Sequence, residues 1–130
     1  MDSLIWDNSS VEIMKMQHHT ISVCMNAIFD KLVDNSQSCA HIDDLLDQLE
    51  LLCQKQFEYD EQLLEEVNCP SVAEQKRLHD LYLKGLNLLK AENGQCHAPS
   101  FITNFIKLRI DYVLNMNKET MMLCDSVLKV

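Results

Sequence analysis

Apolar residues recur in this chain of 130 residues at alternating intervals of four and three, along four separate segments. This spacing gives each segment one apolar stripe and is typical of helices that pack at a shallow angle. The stripes are Met14, His18, Ile21, Met25, Ile28 and Leu32; Ile42, Leu46, Leu49, Cys53, Gln56, Asp60, Leu63 and Val67; Val72, Gln75, His79, Tyr82, Leu86 and Leu89; and Ile102, Ile106, Arg109, Val113 and Met116. The pattern predicts an all-α fold.

Turn-forming residues separate the four segments. The predicted helices cover about 12–34, 41–67, 71–92 and 100–127, after a short N-terminal arm. Short connections place consecutive helices side by side in opposite directions. We therefore predict one domain, 1–130, folded as an antiparallel up-down-up-down four-helix bundle.

The charge of the chain bears on its partners and its location. A formal net charge of −9 opposes binding to nucleic acid or to anionic lipid, because the averaged field repels both. No apolar run is long enough to cross a membrane, and the first residues, MDSLIWDNSS, contain no secretion signal. The sequence therefore predicts a cytoplasmic protein with no membrane insertion.

The 6 cysteines form no C-x-x-C pair, so reduced thiols are expected in the cytoplasm. Cys24 and Cys53 fall on apolar helix faces, where a free thiol fills space as a small hydrophobic group. Cys39, Cys69 and Cys96 fall in predicted loops, where oxidation stays open.

Polar side chains interrupt the apolar stripes in one zone only. The interrupting residues are His18, Gln56, Asp60, Gln75, His79 and Arg109. Alternating helix directions bring all of them to one level of the bundle, as a buried layer. Burying an unpaired amide or charge costs about a few kcal/mol, so the members must pair with one another, bind a ligand or reach water.

These same positions carry a resemblance to a known family. The segments are Met14 to His18, Gln56-Phe57-x-x-Asp60-Glu61, Pro70 with Gln75 and His79 after it, and Phe101 to Leu114, preceded by Trp6 and by Val11 and Ile13. In this spacing the whole chain resembles the bacterial hemerythrins, four-helix bundles that hold a di-iron centre and bind dioxygen.

The resemblance implies an altered set of iron ligands. His18 and His79 match two of the five ligating histidines, and Asp60 stands in place of the bridging glutamate. The remaining ligand positions of the family are occupied by Gln56, Gln75, Arg109 and Leu114. Glutamine is a weak neutral ligand, leucine is none, and a protonated guanidinium repels a cation.

Two interpretations of the layer follow. In the first, Arg109 pairs with Asp60 in place of the metal charge, the two glutamines bridge the histidines, and no cofactor is bound. In the second, His18, Asp60 and His79 hold iron as a mono- or di-iron site, because two histidines and a carboxylate form a common iron ligand set.

The sequence contains no recognised catalytic motif, so we predict a protein that is not an enzyme. The first functional hypothesis is a regulatory or signalling module that has lost di-iron and dioxygen binding and acts through a protein partner or a second copy of itself. The second is an iron- and dioxygen-binding carrier or sensor with a reduced ligand set. The methionines of the last segment, Met116, Met121 and Met122, fit either core packing or a partner surface.

Overall fold

In a computed structural model of the protein, the described residues form four α-helices. They are α1 (Asn8–Asp34), α2 (Cys39–Glu66), α3 (Val72–Lys90) and α4 (Pro99–Leu128). The structure describes residues 8–34, 38–92 and 94–128, with side chains at 12–34, 38–92, 94–115 and 118. Over these residues the all-α prediction is confirmed, and the helices begin and end within about four residues of the predicted bounds.

Some sequence-based predictions fall outside the described part of the chain. The N-terminal arm with Trp6 and the Val11 side chain lie there, as do the side chains of Met116, Met121 and Met122. No helix among the described residues is long and apolar enough to span a membrane.

Consecutive helices pack side by side in opposite directions, and α4 closes the ring against α1. His18 near the start of α1 meets Asp60 near the end of α2. Lys90 at the end of α3 meets Glu50 in the first half of α2. The up-down-up-down bundle is therefore confirmed.

The core lies along the inner faces of the helices. The predicted stripes of α1, α2 and α3 are buried, except for the half-buried His18, Val67 and Val72. The predicted stripe of α4 is wrong by one residue. Its buried face consists of Phe101, Phe105, Leu108 and Tyr112, while Ile106 and Val113 are exposed.

A disulfide joins the start of α2 to the loop that precedes α4. Cys39 and Cys96 are bonded, with 5.5 Å between their Cα atoms. The general expectation of reduced thiols is wrong for this pair, and the oxidation that stayed open for Cys39 and Cys96 is what the structure has, because the fold brings the start of α2 to a loop 57 residues further along the chain. Cys24, Cys53 and Cys69 are free thiols.

Candidate functional site

A fully buried carboxylate, Asp60, lies at the centre of the polar layer. Its Oδ2 atom accepts a hydrogen bond from Gln56 Nε2 at 2.9 Å and lies 3.1 Å from His18 Nε2. The Tyr112 hydroxyl donates to the carbonyl oxygen of Gln56. The layer therefore links α1, α2 and α4 through one chain of polar contacts.

The second histidine of the layer, His79, belongs to a different contact. Its Nδ1 atom lies 2.7 Å from Glu61 Oε2, and its ring stacks on Phe57 with 4.0 Å between ring centroids. The two rings are almost parallel, at 2°. This contact fixes the plane of the imidazole between α2 and α3.

Aromatic rings surround the polar chain on the side of α3 and α4. Tyr82 lies 5.6 Å from Tyr112 and 5.8 Å from Phe57, measured between ring centroids. Burial raises the pKa of the Tyr82 hydroxyl well above its ordinary range, with Cys53 adding to the shift. The hydroxyl therefore stays protonated, and it donates to Met25 Sδ at 3.4 Å.

The predicted ion pair between Arg109 and Asp60 is wrong. Arg109 is only half-buried, donates to the amide oxygen of Asn26 and lies over the Phe29 ring at 4.8 Å from its centroid. The cause is the one-residue shift of the buried face of α4, since adjacent helical residues point about 100° apart. Tyr112 enters the layer where Arg109 was expected.

Two side-chain oxygens of the layer take no part in its hydrogen bonds. Asp60 Oδ1 and Gln75 Oε1 are buried, and neither has a hydrogen-bond partner among the described residues. The glutamine was predicted to bridge a histidine, and its oxygen makes no such bond.

The residues present do not fit the di-iron centre that the resemblance implies. Leu114 is 61% exposed, and Arg109 lies outside the layer, so α4 supplies no ligand at either matching position. The ligand atoms of His18, Asp60 and His79, all described, do not come within 4.8 Å of one another as a group. Both ends of the Gln56 side-chain amide also form hydrogen bonds, since Nε2 donates to Asp60 and Oε1 accepts from Tyr112.

Three side chains of the layer were not predicted from the sequence. Glu61 lies outside the predicted stripe of α2, yet it contacts His79. Tyr112 was not part of the predicted stripe of α4, although its spacing from Phe105 and Leu108 matches a core stripe. Phe57 directly follows Gln56 and is not a member of the predicted stripe. Its position beside the layer could therefore not be predicted from the stripe.

A groove with a volume of about 840 Å³ runs along the outside of α3 and α4. Its apolar walls include Leu78, Leu81, Gly85, Leu88 and Leu108. Leu88 is 72% exposed and Leu81 is 49% exposed. These leucines place exposed apolar surface along one side of the groove.

Comparison of the chain with protein-family models, with curated proteins and with solved structures found no match. The hemerythrin resemblance thus stays an interpretation of spacing in the sequence.

Proposed function

We propose that this bundle is a non-catalytic interaction module with a regulatory role, and that its α3–α4 groove binds an amphipathic helix of a partner protein. The observation that carries the proposal is the exposed apolar wall of the groove. An apolar groove between two helices is a common receptor for a helix with residues spaced at i, i+3, i+4 and i+7.

The α3 wall has the periodicity that such a ligand requires. Leu78, Leu81, Gly85 and Leu88 follow one another at intervals of three and four, so they form one face along the helix. At Gly85 a Cβ atom would lie 3.1 Å from Leu108 Cδ1 of α4. The glycine therefore lets α4 approach closely and form an apolar floor between the two helices.

The charges favour a partner helix with basic flanks. The chain has 20 acidic and 11 basic residues, and Glu92 and Asp111 line the groove together with one lysine, Lys107. Opposite charge in a partner accelerates encounter and sets orientation more than it adds affinity. We therefore expect Lys or Arg beside the apolar stripe of the ligand.

The polar layer has a structural role in this proposal. Its contacts tie α1, α2 and α4 together through His18, Asp60, Gln56 and Tyr112. The cytoplasmic location remains a prediction. Disulfides such as Cys39–Cys96 are rare in the cytosol, so in that compartment the pair would be reduced.

The test compares Leu88→Glu with Leu51→Glu, a matched control on α2 that is 59% exposed and outside the groove. Affinity capture followed by quantitative mass spectrometry should show a partner that binds the parent and the control but not Leu88→Glu. A peptide of that partner's helix is then titrated against all three proteins. Equal affinity of the peptide for all three would overturn the proposal, as would equal capture.

One observation favours the metal-binding alternative from the sequence. Asp60 Oδ1 is a buried carboxylate oxygen that has no hydrogen-bond partner among the described residues, and it belongs to the residue that contacts His18. Such an oxygen is a potential cation ligand. Metal analysis of protein from iron-supplemented cells decides between the two functions. Stoichiometric iron that is lost in Asp60→Asn would support a carrier or sensor and refute a cofactor-free module.

A further inference from the structure

Two sulfurs and an imidazole lie together at the end of the bundle where α2 and α4 begin. The ligand atoms of Cys39, Cys96 and His97 all lie within 4.8 Å of one another. In the part of the chain that the structure describes, this is the only such group of three histidine, cysteine or acidic ligands. Cys96 is buried and His97 is exposed, so the group is fixed on one side and open to solvent on the other.

The group has the composition of a zinc site once the disulfide is reduced. Zinc takes thiolate ligands at about 2.3 Å and histidine nitrogen at about 2.0–2.1 Å, in tetrahedral geometry. Two thiolates on one tetrahedral ion lie about 3.8 Å apart. The Cα atoms are 5.5 Å apart, a separation from which two cysteine side chains can reach one ion once the S–S bond is broken.

Local structure favours the thiolate form of Cys39. It is the first residue of α2, directly after the N-cap Ser38, where unpaired backbone N–H groups stabilise negative charge. The backbone N–H of Cys96 also donates to Cys39 Sγ at 3.3 Å. Both features would stabilise a metal-bound thiolate as well.

We propose that Cys39, Cys96 and His97 form a redox-controlled binding site for a thiophilic divalent ion of the zinc class. In the oxidised state the two sulfurs are bonded and no ion binds. A dithiol reductant breaks the S–S bond by supplying two electrons and two protons, and is itself oxidised to a disulfide. Zn²⁺ then displaces the two thiol protons and is held by both thiolates and the imidazole, with water at the fourth position.

The experiment titrates Co²⁺, as a coloured substitute for Zn²⁺, into the full chain after reduction and anaerobic removal of the reductant. The reduced parent should bind one equivalent with thiolate-to-cobalt charge-transfer absorption, and Zn²⁺ should displace it. The oxidised parent should show neither signal. Absence of that absorption in the reduced parent would overturn the proposal.

His97→Ala separates metal binding from folding, because the residue is exposed and both cysteines remain. Loss of this ligand should weaken Zn²⁺ binding at least about 10-fold, since even outer-shell partners contribute that much. Zn²⁺ should also raise the melting temperature of the reduced parent more than that of the variant.

The matched control is His41→Ala, an exposed histidine in the first turn of α2 whose backbone, not its ring, bonds to the N-cap. It should bind Zn²⁺ as the parent does. If His97→Ala binds as tightly as this control, the three-ligand site is refuted.

Discussion

Removal of the Cys39–Cys96 disulfide should destabilise the protein strongly, because the bond restricts the unfolded chain. The cross-linked residues are 57 apart in sequence. Loop-closure entropy for a loop of that length corresponds to about 4 kcal/mol at 25 °C. For a chain of this size the unfolding entropy is about 0.27 kcal/mol/K, so the melting temperature should fall by about 15 °C.

The variant for this measurement is Cys39→Ser combined with Cys96→Ser, studied with a chelator present so that no metal contributes. Urea denaturation followed by circular dichroism gives the free energy of unfolding. Cys69→Ser, which removes a free thiol, is the control. A loss below about 1 kcal/mol relative to this control would refute the reasoning, since the bridge would then not restrict the unfolded chain.

Three further predictions concern the layer and its surroundings. Asp60→Ala leaves His18 and the Gln56 amide without their acceptor, so it should lower the free energy of unfolding in urea by about 3 to 5 kcal/mol. The exposed Asp47→Ala should lower it by about 0 to 1 kcal/mol. Equal losses would contradict the buried contacts of Asp60. Arg109→Leu should lower the free energy of unfolding by no more than about 1 kcal/mol, because it removes a surface hydrogen bond and a ring contact. A loss above about 3 kcal/mol would instead support an ion pair between Arg109 and Asp60. Burial raises the pKa of the Cys53 thiol from 9.0 to about 12, so its neutral form contributes stability below pH 9 that is lost as the pH rises toward 12. Cys53→Ala should flatten the fall in unfolding free energy over that range, and an unchanged slope would contradict this cause.

Much of the bundle was predictable because three of its helices present one clear stripe each. On α2, for example, the series through Leu46, Leu49 and Cys53 is fully buried, and Leu45 and Leu52 beside it are only half-buried. Alternating directions then place His18 beside Asp60 without further information, since one lies early in its helix and the other late. The contact at 3.1 Å confirms this step.

Contacts that depend on loop paths or on side-chain reach could not be predicted. No periodic signal relates Cys39 to Cys96, because both lie where the stripes end. Glu61 follows Asp60 and points about 100° away from it, so its register indicated solvent. A glutamate is long enough to reach His79 from that position, which the stripe pattern does not encode.

On α4, the register of the buried face decides which side chain enters the polar layer. Two stripes overlap on α4, one through Ile102, Ile106 and Val113 and one through Phe101, Phe105, Leu108 and Tyr112. Aromatic rings bury about 150 to 250 Å² each, so the second stripe removes more apolar surface from water and forms the core.

In this register, the side chain that α4 contributes to the layer is the phenol of Tyr112 and not the guanidinium of Arg109. Tyr112 brings a neutral donor to Gln56, which in turn donates to Asp60, whereas Arg109 is carried to the surface beside Asn26. No cation from α4 therefore replaces a metal charge. The carboxylate is instead balanced by the hydrogen bond from Gln56 and the contact with His18, and the strength of that balance is what Asp60→Ala measures.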